Sequence, residues 1–204
     1  MATRAQNQQG RRAAMLKIAS EMFLAQGYEG ASLDAVVARA GGTKTNVYTL
    51  FGSKAQLFAA VVDDQCQKLA HGFEGQEITG LQLEEALRRT GRAYLSNLLS
   101  KASVRQYRLM VAEAVRFPAL GRRWFKAGPE GARNRLAAHL EALPGISKPQ
   151  ARHIAASFLN MLGGELLMRQ LESDASAPSN REINSYVDDA ITVLLRGTLT
   201  SKKR

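Results

Sequence analysis

The chain has 204 residues, 45% hydrophobic and 23% charged, with 28 Lys+Arg against 18 Asp+Glu for a net charge of +10. A single cysteine cannot close an internal disulfide, no apolar run approaches the ~20 residues of a membrane span, and the first ten residues lack the apolar core of a signal peptide. A disulfide-stapled secreted domain and a membrane protein are thereby excluded, a cytoplasmic protein is expected, and the positive charge favours a polyanionic partner.

The charge is densest at the start. Residues 1–54 hold 7 basic and 3 acidic side chains, net +4, which marks a small basic module ahead of a larger body. Strand-like alternation is nearly absent and apolar residues recur three and four apart, so the fold class expected is all-α. Ala13 to Gln26 line Met15, Ile18, Ala19, Met22 and Phe23 on one helical stripe, and Gly27 is placed to close it as a left-handed cap. Ser32 can cap a short second helix carrying Leu33, Val36, Val37 and Ala40, broken by Gly41-Gly42. Thr43 can cap a third, Lys44 to Leu50, and Ser53-Lys-Ala-Gln56 reads as a capping box opening a fourth.

The same Ser/Thr-x-x-Gln/Glu signature recurs at Thr79–Gln82, Ser103–Gln106, Ser147–Gln150 and Ser179–Glu182, each before an apolar-periodic run, which predicts at least four more helices. Pro118, Gly128-Pro129 and Pro144-Gly145 predict breaks between 103 and 147. Glu172 to Asn180, a polar Ser/Ala/Pro stretch, and both chain ends read as the least ordered parts.

Two short helices joined by Gly41-Gly42 on a longer first helix have the outline of a helix-turn-helix. The third helix leads with four polar residues, Thr43-Lys44-Thr45-Asn46, and has Val47, Leu50 and Phe51 to dock it. A short helix of this kind can enter the major groove with its first turn facing base edges while its positive end and nearby lysines meet phosphates. A polar turn that merely solvates a surface helix is the alternative.

Residues 14–62 resemble the DNA-binding domain of TetR-family transcriptional regulators. The resemblance rests on Phe23-x3-Gly27-Tyr28, Ser32-Leu-Asp-Ala-Val-Val and Tyr48-x2-Phe51-x-Ser53-Lys54, in order and at the family's spacing. Ala31 stands where the family often has Thr, Gly42 where it often has Val, and Thr45-Asn46 where Gly-Thr is common. The resemblance implies that Ser32, Thr43, Tyr48 and Lys54 hold phosphates while Lys44, Thr45, Asn46 and Thr49 face the groove, in a domain spanning 1–57. Asn46 is the residue chosen for a base contact, since an amide can pair bidentately with adenine, and Lys44 can reach guanine or phosphate.

A weaker resemblance, over about 103–143 and carried by Arg108-Leu-Met-Val-Ala-Glu-Ala-Val-Arg-Phe-Pro118, Trp124-Phe125 and Gly128-Pro129, is to the AefR-like C-terminal domain. It implies that residues 58–204 form a helical effector-binding and dimerisation domain. Two helices, Gln150 to Gln170 and Arg181 to Thr198, are the dimer candidates, through Phe158, Leu162, Leu166, Ile183, Val187, Ala190, Ile191 and Leu194. Gly163-Gly164 is expected inside the first of them, where a close helix crossing would compensate two glycines; plain core is the alternative for both helices. Pocket candidates are Tyr94, Leu98, Tyr107, Met110, Glu113, Phe117, Trp124, Phe158 and Met161, with core again the alternative. Glu113, an acid in an apolar run, either selects a ligand or pairs with Arg116 or another arginine.

Other chemistry falls away. Gly41-Gly-Thr-Lys-Thr45 lacks the Gly before Lys of a phosphate-binding loop, His71, His139 and His153 share no metal-ligand spacing, and there is no Gly-x-Ser-x-Gly elbow. Cys66 is expected to be a buried hydrophobe rather than a redox sensor. The expectation is a homodimeric, ligand-responsive repressor of a palindromic double-stranded operator, with an unidentified small-molecule effector, no cofactor or metal, no membrane partner and no enzymatic activity. A non-specific nucleoid or architectural DNA-binding protein is the rival, and a helical enzyme the second.

Overall fold

The computed structural model describes residues 4–41, 43–71, 80–172 and 176–200. The elements among them are all helical: α1 (Arg4–Gly30), α2 (Leu33–Ala40), α3 (Lys44–Phe51), α4 (Lys54–His71), α5 (Leu83–Leu98), α6 (Lys101–Glu113), α7 (Pro118–Phe125), α8 (Gly131–Glu141), α9 (Lys148–Leu162), α10 (Glu165–Leu171) and α11 (Asn180–Thr200). None of the described helices is long and apolar enough to cross a membrane.

The chain divides into two compact units, Met1–Lys68 with Arg105–Trp124, and Leu69–Val104 with Phe125–Arg204. This division follows packing, whereas 1–57/58–204 follows the motif. α4 runs on beyond residue 57, and the α6–α7 segment belongs by packing with the first unit.

In the first unit, Met15, Ala19, Met22 and Phe23 of α1 are buried as the stripe requires, together with Val36, Val47, Phe51, Leu57 and Phe58. α1 begins well before Ala13, and Gly27 interrupts it rather than ending it: φ 72°, ψ 178° lies in a region that glycine alone adopts cheaply. The interruption frees the Tyr28 N–H from the helical ladder, and that N–H donates to Glu113 Oε1 at 3.2 Å. Around it Tyr28, Phe23, Phe58 and Phe117 form an aromatic cluster, with Tyr28 and Phe117 centroids 4.8 Å apart in an edge-on arrangement. α2 ends at Gly41 in the left-handed region, φ 69°, with its N–H on the Val37 carbonyl. Gly42 lies outside the described residues.

In the second unit α5, α8, α9 and α11 pack on one another. Gly91 lets them close: a Cβ there would stand 2.8 Å from Phe158 Cζ and 2.9 Å from Val187 Cγ1, both fully buried side chains. Arg88 Nε fastens α5 to α11 through Asp188 at 2.9 Å.

The capping signatures locate some starts and miss others. The Asp34 and Glu182 N–H groups donate to Ser32 and Ser179 Oγ, and Ser147 N–H donates to Gln150 Oε1 at 3.0 Å. α6, however, starts at Lys101, because the Ser100 hydroxyl accepts from the Ser103 N–H and so caps the helix one turn before the predicted box. Gln82 stands at the N-cap of α5, and Thr79 lies outside the described residues. Gly128-Pro129 does not break the chain: α7 passes into α8 through a π-helical turn, Lys126–Glu130, a wider turn in which the missing proline N–H is tolerated. Conversely, Gly163-Gly164 is not inside a helix but separates α9 from α10, with Gly164 at φ −75°, ψ −99°. Residues 173–175 of the Glu172 to Asn180 stretch lie outside the described residues.

Candidate nucleic-acid interface

α3 stands on two apolar side chains, Val47 and Phe51, at 0% and 8% exposure, and turns its other residues outward. Thr43, Lys44, Thr45, Tyr48 and Thr49 are exposed and Asn46 is half-exposed. Tyr48, at 51% exposure, has its ring outside the core. The helix is started by its own first residues: the Asn46 N–H donates to Thr43 Oγ1 at 3.3 Å, and the Thr43 hydroxyl donates to Asn46 Oδ1 at 3.1 Å. Thr43 therefore caps the helix and orients the Asn46 amide at once, leaving Oδ1 a second lone pair.

Lys44 Nζ lies 2.8 Å from Asp34 Oδ1, a carboxylate on the first turn of α2. The hydrogen bond and the charge of Asp34 hold the Lys44 ammonium above the ordinary lysine value. Ser32 is exposed at the N-cap of the same helix. Lys54 Nζ is engaged with the protein, donating to the Glu29 carbonyl at 3.1 Å and standing 4.7 Å over the Tyr28 ring. A phosphate contact by Lys54 would thus be made from a side chain pinned to the end of α1. Two neighbours were not among the sequence candidates. Asp34 sits in a helix motif that gives no sign of its ion-pair partner, and Arg12, whose guanidinium carbon is 5.0 Å over the Phe51 ring, carries no local signal because its partner is 39 residues away.

Glu113 does not pair with Arg116. Its Oε1 serves the Tyr28 N–H, while Arg116 pairs with Glu29, so both groups brace the end of α1. Replacing Glu113 by Ala leaves a part-buried N–H unsatisfied and should cost about 1–3 kcal/mol of stability, whereas Glu113→Gln keeps the accepting oxygen and should lose much less; chemical denaturation of the three proteins measures the order.

The nine pocket candidates are divided between the units. Tyr107, Met110, Glu113, Phe117 and Trp124 belong to the first, where Tyr107 and Trp124 meet edge-on at 5.5 Å; Tyr94, Leu98, Phe158 and Met161 belong to the second. Phe117 is part of the aromatic cluster and Phe158 is fully buried against the Gly91 position, so both act as core. Tyr94 lines a cavity of about 20 Å³ with Thr90, Arg135 and His139, room for about one water. A larger cleft of about 520 Å³ between the start of α5 and the end of α8 contains none of the nine. Gln106 Nε2 and Trp124 Nε1, in the first unit, are buried donors without a hydrogen-bond partner among the described residues.

The dimer candidates are corrected as a group. Phe158, Leu162 and Val187 are 0% exposed, Leu166 and Ile191 2%, Ile183 6%, Ala190 7% and Leu194 9% within a single chain. The stripes of α9 and α11 pack on each other and on α5, and Leu166 of α10 is buried as well, so these eight side chains belong to this chain's own core. Large apolar side chains that do face outward on α10 and α11 are Met168, 53% exposed, and Val193, 63%. Cys66 is buried; burial first, then the Asp63 charge, pushes its thiol up to about 11, as befits an unreactive hydrophobe.

Residues 15–61 match the family model of bacterial regulatory proteins of the tetR family, and residues 85–197 match that of the AefR-like transcriptional repressor C-terminal domain. The HTH-type transcriptional activator FasR of Mycolicibacterium smegmatis is 33% identical over 84 residues, 41% of this chain but only 38% of the relative's length. Among solved structures, a TetR-family regulator from Mesorhizobium loti MAFF303099 superposes with a TM-score of 0.82 at 22% identity, covering 96% of this chain and 98% of that one. The flavonoid-responsive regulator FrrA superposes at 0.74 with 28% identity, covering 92% and 96%. With an exposed polar helix set on α2 at one end and an AefR-like helical body over more than half its length, the chain belongs to the TetR family of DNA-binding transcriptional regulators.

Proposed function

We propose that the chain is a ligand-responsive repressor that binds a palindromic operator as a homodimer, each copy reading one half-site with α3, in the cytoplasm. The observation that carries this reading is the first turn of α3: Thr43, Lys44 and Thr45 face solvent on a helix whose underside is anchored by Val47 and Phe51. A helix of eight residues held this way fits the major groove, and Ser32, Tyr48, Thr49 and Lys54 are then the flanking contacts. Selection of bound duplexes from random DNA tests it. Recovery of a two-fold-symmetric site preferred by ~10³ or more over random DNA is expected, while uniform binding to all sequences would favour the architectural rival.

Two outward apolar residues support a dimer through α10 and α11. Val193→Asp should shift the protein to monomer in light scattering and weaken operator binding, because a buried charge at a two-fold interface is paid twice. For the effector, similarity to a flavonoid-responsive regulator makes flavonoids the first class to titrate, and the buried donors Gln106 Nε2 and Trp124 Nε1 suit a ligand with acceptor oxygens. Binding that favours a dimer with its α3 helices wrongly spaced must weaken operator affinity, and operator must weaken the ligand by the same factor. The direction of regulation rests on the AefR-like repressor match, while the relative FasR is an activator; a reporter with the selected site overlapping its promoter decides between them.

A further inference from the structure

Asp34 is the one acidic side chain of α2 and α3, and it lies on the first turn of α2 beside the Ser32 cap. A phosphate at this surface would seek the amides at the start of α2, the Ser32 hydroxyl and the Lys44 ammonium. The carboxylate already holds the last of these, at 2.8 Å, with both side chains more than half exposed.

We propose that Asp34 is a specificity-determining residue: its carboxylate occupies Lys44 on non-cognate DNA, so that Lys44 adds little as a phosphate contact, and gives it up only where base acceptors in the groove are also offered. The proposal rests on the DNA-binding reading above. Moving an exposed ammonium from a carboxylate to a phosphate exchanges one solvated ion pair for another and gains little, and it brings the phosphate towards a second negative charge. At a guanine, Lys44 gains the O6 and N7 acceptors in addition, which the carboxylate does not offset. Asp34 thus subtracts a contact from binding that reads only the backbone, and leaves binding that reads bases largely intact. Thr43 and Asn46, joined to each other, keep the first turn in place while Lys44 changes partner.

The test is a double-mutant cycle by fluorescence anisotropy on the full chain, with wild type, Asp34→Asn, Lys44→Gln and the combination, each on a random duplex and on the selected operator over a range of salt. Asp34→Asn should tighten random-duplex binding about 2–5-fold at low salt and steepen the log–log salt slope by about 0.9, tighten the operator less, and so lower the specificity ratio. In the Lys44→Gln background the same substitution should change random-duplex affinity very little. Equal tightening in both backgrounds, or an unchanged specificity ratio, overturns the proposal. Should the wild-type chain itself show no preferred sequence, the functional reading fails and the inference with it; an operator preference that Asp34→Asn leaves untouched overturns the inference alone.

Discussion

Gly91→Ala should lower the melting temperature of the protein although it replaces a helix-interior glycine by the best helix former. Propensity alone would stabilise α5 by about 1 kcal/mol. Against this, the new Cβ would lie 2.8 Å from Phe158 Cζ and 2.9 Å from Val187 Cγ1, closer than carbon atoms pack, and both neighbours are fully buried, so one or both must shift within the core. Overpacking of this kind costs about 1–3 kcal/mol, occasionally more, and the residues that must shift belong to α9 and α11 at once. A net loss of up to about 2 kcal/mol corresponds to a fall of up to about 8 °C for a chain of this size. Differential scanning calorimetry reads it directly. Phe158→Leu in the same chain should recover part of the loss by shortening the side chain in the way; a melting temperature that rises on Gly91→Ala would show that the crossing is looser than described.

Asn46→Ala should remove discrimination at one operator base by about 1–3 kcal/mol, a roughly 5- to 150-fold change, while leaving random-duplex affinity nearly unaltered. The asymmetry follows from the geometry of α3. The helix cap is the Thr43 hydroxyl accepting from the Asn46 backbone N–H, which alanine retains, so the helix should persist. What is lost is the amide, whose Oδ1 is oriented by the Thr43 hydroxyl at 3.1 Å. Two lone pairs on that oxygen allow it to keep Thr43 and also accept from adenine N6 while the amide nitrogen donates to N7. Competition binding with operators varied at each position measures the effect; equal losses on specific and random DNA would remove Asn46 from the readout. Thr43→Ala should do more harm than Asn46→Ala to the helix itself, since it deletes a cap worth about 0.5–2 kcal/mol along with the amide's support.

Most elements of the first 54 residues were legible because their determinants are local, although α1 begins before Ala13 and runs past Gly27. Met15, Ala19, Met22 and Phe23 recur at helical spacing, Ser32 and Thr43 cap at fixed offsets, and Gly27 and Gly41 stand where a positive φ was needed. The same local reading misplaced the α6 start, since Ser100 and Ser103 are both competent caps and only the packed helix shows which is used. It also set the break at Gly128-Pro129, which a π turn absorbs, and the continuous helix at Gly163-Gly164, which is a break.

Amphipathic stripes predicted that α9 and α11 are half-buried, but a stripe records only that a face is apolar and not whether its cover comes from the same chain. Contacts with α5, made possible by a glycine at 91 that had no sequence mark, turned the supposed dimer surface into core. Charge pairing was likewise beyond the sequence: Lys44 with Asp34, Arg116 with Glu29 and Tyr28 N–H with Glu113 join residues 10 to 87 positions apart, and side chains that long and mobile reveal no partner until the backbone brings one near. Composition, periodicity and capping chemistry by themselves determined the all-α class, the short helix α3 and the polar residues of its first turn, because each depends on neighbours within a turn or two. Which apolar face meets which, how closely helices cross, and which charge answers which were decided only by the tertiary structure, because those depend on distances between segments that the chain separates.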